Sequence, residues 1–133
     1  MKKGIVSAVL FLTCSLALAD DWIMIAGTQG DDWVYYGLKG SYELKSNKAG
    51  EEIAVITGKT DDKQKRRIDL EKLYVRTADC KRKQGKAVAL TMDGEFKYDY
   101  DFIFQAGSVG SSKAEFVCSI YFADAAVKSG KGL

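Results

Sequence analysis

Residues 96–104 read Phe-Lys-Tyr-Asp-Tyr-Asp-Phe-Ile-Phe, with a ring at every even position. Lys97, Asp99 and Asp101 fill odd positions, and Ile103 is the exception. Successive side chains of a strand point to opposite faces. This stretch therefore predicts a strand with a continuous aromatic row, Phe96 to Phe104, on one face and charges on the other. Such a row needs cover, because burying apolar surface is the main force available to a domain of this size. The row reads as core; the alternative is an exposed aromatic platform for a ligand.

The cover is legible just beyond it. Ser112-Lys113-Ala114-Glu115 matches a capping box, in which hydroxyl and carboxylate satisfy free amides at a helix start. Ala114, Val117, Cys118 and Tyr121 then share one helical face, with Ile120 beside them. The helix begins at this box or a turn earlier, near Ser108. It runs to about Lys128, with Gly130 ending it. Residues 129–133 read as a flexible tail.

Upstream the chain reads as short strands at roughly ten-residue spacing, divided by turn signals. Residues 22–26, 33–36, 40–45 and 53–57 are the runs, with Gly37 and Gly58 as stops. Residues 59–67 are a loop or a solvated strand extension. In 68–77, Ile68 and Leu70 lie on one face and Leu73 and Val75 on the other; a bulge between Leu70 and Leu73 would reconcile them. A short helix there is the rival reading. Val88, Leu90 and Met92 form the strongly apolar face of a further strand, and Asp93-Gly94 signals a hairpin. The fold class is α+β: an antiparallel sheet of about five to six strands, with the C-terminal helix packed on one face.

The N-terminus sets the compartment. Lys2 and Lys3, an uncharged apolar run and Ala17-Leu18-Ala19 predict a signal peptide over 1–19, cleaved before Asp20. A single domain over 20–128 remains. The 133-residue chain has 20 basic and 18 acidic side chains, and Lys2 and Lys3 are the excess. The processed chain is then neutral, which gives no reason to expect nucleic acid as a partner. No later segment is apolar enough to span a membrane. Cys14 leaves with the signal, so Cys80 and Cys118 remain. An even count in an exported protein reads as one disulfide, contributing roughly 3–4 kcal/mol. It would pin the helix to the sheet. A reactive dithiol or an intermolecular pair are the alternatives.

The chain has no histidine and no proline. Nucleophiles activated by histidine and zinc sites built on it are excluded. Asp99 and Asp101 share a strand face, which more often is solvated than catalytic or metal-binding. No cofactor is expected. Two basic clusters are the candidate binding residues: Lys63, Lys65, Arg66 and Arg67, and then Lys81, Arg82 and Lys83. They suit a glycosaminoglycan, a lipid phosphate or an acidic protein surface. If residues 68–79 are one extended strand, the clusters lie about 40 Å apart, at its two ends.

Several stretches together resemble the surface-adhesin protein E family of small exported bacterial proteins. They are Asp20-Asp21-Trp22, Val34-Tyr35-Tyr36, Arg76-Thr77-Ala78-Asp79-Cys80-Lys81, and Gly107-Ser108-Val109-Gly110 leading to Val117-Cys118. The resemblance implies an antiparallel sheet with a C-terminal helix held on one face by the disulfide. It also implies a non-catalytic binding protein of the bacterial cell envelope whose partners are host matrix or serum proteins. The family's adhesin is lipid-anchored, whereas Leu12-Thr13-Cys14 is no lipobox and Ala106 replaces the usual proline. A periplasmic location follows, with the outer-membrane surface or the extracellular space as alternatives. A periplasmic inhibitor or immunity protein, blocking a lysozyme-like or toxin enzyme, is the second reading. The exposed sheet edges leave pairing into a dimer open.

Overall fold

The computed structural model describes residues 21–27 and 32–130. The expected signal peptide, 1–19, and the last three residues of the expected tail lie outside the described residues. The strands are β1 (Trp22–Ala26), β2 (Trp33–Leu38), β3 (Glu43–Ser46), β4 (Glu52–Asp62), β5 (Arg67–Arg76), β6 (Gln84–Leu90) and β7 (Phe96–Ile103). Two helices, α1 (Thr77–Arg82) and α2 (Val109–Lys128), complete the fold. The seven strands form one antiparallel sheet in the order β1-β2-β4-β5-β6-β7, with β3 paired to the start of β4. Helix α2 packs on one face, and Cys80–Cys118 is a disulfide with Cα atoms 5.3 Å apart. The chain is thus a mixed α+β domain of the expected kind. Among the described residues no helix is long and apolar enough to cross a membrane.

The core lies between α2 and the sheet. Ile56, Leu73, Val75, Ala87, Ala89 and Phe102 meet Val117 and Cys118 there. The sheet curls round the helix. Ile23 and Ile25 on one edge strand and Phe104, just past the other, line a single cleft of about 500 Å³ with Phe116 of α2.

Four local expectations change. Neither glycine ends its strand: β2 runs through Gly37 to Leu38, and β4 runs through Gly58 to Asp62. A Cβ on Gly58 would sit 2.0 Å from the Tyr35 hydroxyl, so glycine lets the tyrosine cross the strand. No bulge interrupts β5, whose ten-residue register with β4 is continuous. Leu73 and Val75 are simply core, while Ile68 and Leu70 face out at 59% and 45% exposure. The bulge falls instead between β6 and β7, where Ala89 pairs Tyr98 but Leu90 pairs Phe96. Lys97 is the extra residue, and Phe96 is thrown to the opposite face from the other rings. The aromatic row on the helix face is therefore Tyr98, Tyr100, Phe102 and Phe104. Last, Ser112 does not cap α2. Ser108 does, accepting from the Ser111 amide, while Glu115 accepts from the Gln105 amide.

Residues 68–79 are not one extended strand: β5 stops at Arg76, and Cys80 lies in α1. The disulfide therefore joins two helices, and α1 transmits the restraint to β5 and β6 on either side of it.

Candidate functional site

Each face of the sheet carries one cluster that merits a functional reading. On the helix face, Glu71 is 3% exposed. Its position in β5 is opposite Gly58, and Tyr35 reaches across that glycine to donate to its carboxylate at 2.9 Å. Tyr98 donates at 2.9 Å and Lys97 at 3.3 Å. Lys113, descending from the first turns of α2, lies 3.7 Å from the same carboxylate and donates to the Tyr98 hydroxyl at 2.9 Å. Its ammonium also sits 4.2 Å from the centre of the Tyr35 ring.

The electrostatics follow from this enclosure. Burial, then the charge of Glu71, pushes the Tyr35, Tyr98 and Tyr100 hydroxyls well above the ordinary phenol range. Burial lowers Lys113, and Glu71 pulls it back only in part. A carboxylate with this many donors has no lone pair directed at solvent. The arrangement fastens α2 to β2, β5 and β7.

A second buried carboxylate fastens α1. Asp79 is fully buried. Burial works against its ionisation, but Arg76, the Lys86 amide and Arg82 outweigh that and hold the group below the ordinary carboxylate range. Arg76 binds it through two nitrogens at 3.0 and 3.1 Å. A Cβ on Gly85 would lie 2.2 Å from the Asp79 carboxyl carbon, so a side chain there would evict it.

The open face is different in kind. Its floor is Ile53, Tyr74, Val88 and Leu90. The β3–β4 turn, with Asn47 and Lys48, rises on one side; Gly94 and Phe96 rise on the other. The depression has a volume of about 420 Å³. It continues towards Lys45, Lys72 and Met92 in one direction and towards Arg76 and Lys86 in the other. Phe96 is 63% exposed and Met92 46%. Concave, mainly apolar surface with a polar rim is the usual form of a binding site.

This groove was legible only in part. The alternation marks Val88, Leu90 and Met92 as the strongly apolar face of their strand. The face that packs under α2 is instead Ala87 and Ala89, both fully buried. Ala87 and Ala89 pair Val75 and Leu73 of β5 on the core side, and the larger Val88 and Leu90 alternate with them onto the open face. The excess of apolar residues on both faces of 87–90 was the available signal.

The seven basic candidates are not brought together. Lys63, Lys65 and Arg66 lie in the turn between β4 and β5, and Arg67 begins β5 with Asp69 at 3.2 Å. Lys81, Arg82 and Lys83 end α1, at the far end of β5. All seven are exposed, but Arg82 binds Asp79. Asp99 and Asp101 share Lys86, at 3.9 and 3.4 Å. No protein-family model, no curated protein and no solved structure matches this chain.

Proposed function

We propose that this chain is a non-catalytic, exported binding protein of the bacterial cell envelope, and that it recognises a protein partner through the open face of its sheet. The groove walled by Lys48 and Phe96 carries this reading. Contiguous exposed apolar surface on a soluble domain commonly marks an interaction site. The resemblance to the surface-adhesin protein E family supplies the partner class, host matrix or serum proteins. The saturation of Glu71 and Asp79 supports a role without catalysis, since both buried carboxylates serve the packing of helices. The disulfide is compatible with export to the periplasm or the cell surface.

The test is capture by the purified protein of immobilised matrix proteins and of serum components, alongside protease shaving of intact cells. Binding that is lost in Phe96→Asp, with the protein cleaved on whole cells, is the expected result. Absence of capture from either source would remove the adhesin reading. Protection from protease on whole cells, with a tight complex to a lysozyme-like enzyme, would replace it with the inhibitor reading.

A further inference from the structure

Building on the binding-protein reading, we infer that the open-face groove takes a protein segment that carries carboxylates beside apolar side chains. The groove is bounded by Lys72 at one end and Arg76 at the other. These are four residues apart on β5, so the ends lie about 13 Å apart at about 3.3 Å per residue. Between them the floor is apolar.

The rim is unevenly charged. Two carboxylates line it, Glu51 and Asp93. Glu51 is already held by Arg76 at 2.6 Å. Of the cations, Lys45 has Glu43 at 3.6 Å and Lys86 has Asp101 at 3.4 Å. Lys48 and Lys72 make no side-chain hydrogen bond or ion pair among the described residues. They face a single uncommitted acid, Asp93. The complementary occupant is apolar in its middle and acidic at its margins.

The shape selects a segment over a flat lipid surface. Ile53 and Val55, at the bottom of the groove, are only 6% and 5% exposed, with turns standing on both sides. Individual side chains can enter such a recess; a bilayer surface cannot reach its floor.

Short random peptides displayed on phage, panned against the purified protein, test this directly. Recovered peptides should be enriched in aspartate or glutamate beside leucine or phenylalanine. Synthetic versions should lose about tenfold in affinity to Lys72→Glu, and several-fold on raising salt to about 0.3 M. Lys83→Glu, outside the groove, should leave affinity unchanged. Acidic peptides that bind Lys72→Glu as well as the parent would overturn the inference. So would binding to phosphatidylglycerol vesicles with no peptide recovered. Uncharged peptides lost in Phe96→Ala but indifferent to Lys72→Glu would remove the acidic class and leave the binding-protein reading standing. Failure to recover any peptide, together with failure of matrix capture, would remove both.

Discussion

Glu71 and Lys72 are neighbours in β5, yet they live in opposite surroundings. Glu71 points under α2, is almost wholly buried, and is met by two tyrosines and two lysines. Lys72 lies on the open face beside Leu90 and Met92 and has no side-chain partner among the described residues. The usual division, apolar groups inside and charged groups outside, is broken by Glu71 on one face and by the apolar groups beside Lys72 on the other. A buried charge persists only where donors surround it, so Glu71 commits its neighbours to structure. On the open face Lys72 carries no such commitment, and the apolar floor beside it is available. The comparison separates what holds this domain together from what it can offer to another molecule.

The largest effect that can break the comparison is expected at Glu71. Glu71→Ala leaves Lys113 buried and without its counter-charge, and two tyrosine hydroxyls lose their acceptor. We expect a loss of about 3–5 kcal/mol, the range for breaking a buried ion pair from one side. The urea midpoint should fall at unchanged slope. A loss below about 1 kcal/mol would mean that water enters the cluster, and the helix face would then be a second open site.

Cys118→Ala should cost about 2–5 kcal/mol, because the cross-link restrains a long loop in the unfolded chain. Thermal melting with and without reductant reads it, and an identical melting curve would contradict the linkage. The effect should be concentrated in α1, whose six residues have too few hydrogen bonds to persist alone. Amide exchange across Thr77–Arg82 would show this.

Alkaline pH distinguishes the faces more finely. Tyr35, Tyr98 and Tyr100 have folded-state values raised above the ordinary 10.0. A raised value means that their contribution is complete below pH 10 and is lost as pH rises towards the folded values. Lys113 acts oppositely, since its lowered value makes stability rise between that value and 10.5. The tyrosines outnumber it, so net stability should fall above pH 10, by about 1.4 kcal/mol per pH unit for each proton released on unfolding. Phenolate absorbance for the buried rings should appear together with unfolding. Its appearance in the native state at pH 10 would show that the cluster is open to solvent.

How far these features could be read beforehand depends on which physical signal carries them. The strands, the helix and the cysteine pairing were legible because alternation, helical period and cysteine count are local or nearly so. Gly58 was misread as a stop because its reason for being glycine is Tyr35, a residue two strands away in sequence. Glu71 escaped notice for the same cause: a lone acid in a charged stretch looks solvated until four donors from three other elements converge on it. Helix α1 was missed because no side-chain cap marks its start; its anchor, Asp79, is held by near neighbours, Arg76, Arg82 and the Lys86 amide, but among so many charges that grouping looks like a solvated stretch. The groove was half visible. Both faces of 87–90 are apolar, and the sequence contains nothing local to say that the small face goes inside. That choice is fixed by the register with β5, which sets Ala87 beside Val75 and Ala89 beside Leu73 in the core.

Two phenylalanines of β7 measure the comparison on a single strand. Phe102 is 2% exposed in the core and Phe96 is 63% exposed on the groove wall. Phe102→Ala should cost about 3–5 kcal/mol, transfer and cavity together. Phe96→Ala should change stability by no more than about 0.5 kcal/mol, because most of the ring is already in water. Uninterrupted alternation would put the two rings on the same face and give them similar costs. The bulge at Lys97 is what divides them, by spending two residues of β7 against one of β6. Equal losses in chemical denaturation would therefore remove the bulge, return Phe96 to the core row and leave the groove without one of its walls. A large difference, with partner binding lost only in Phe96→Ala at intact stability, would assign the two faces their separate tasks.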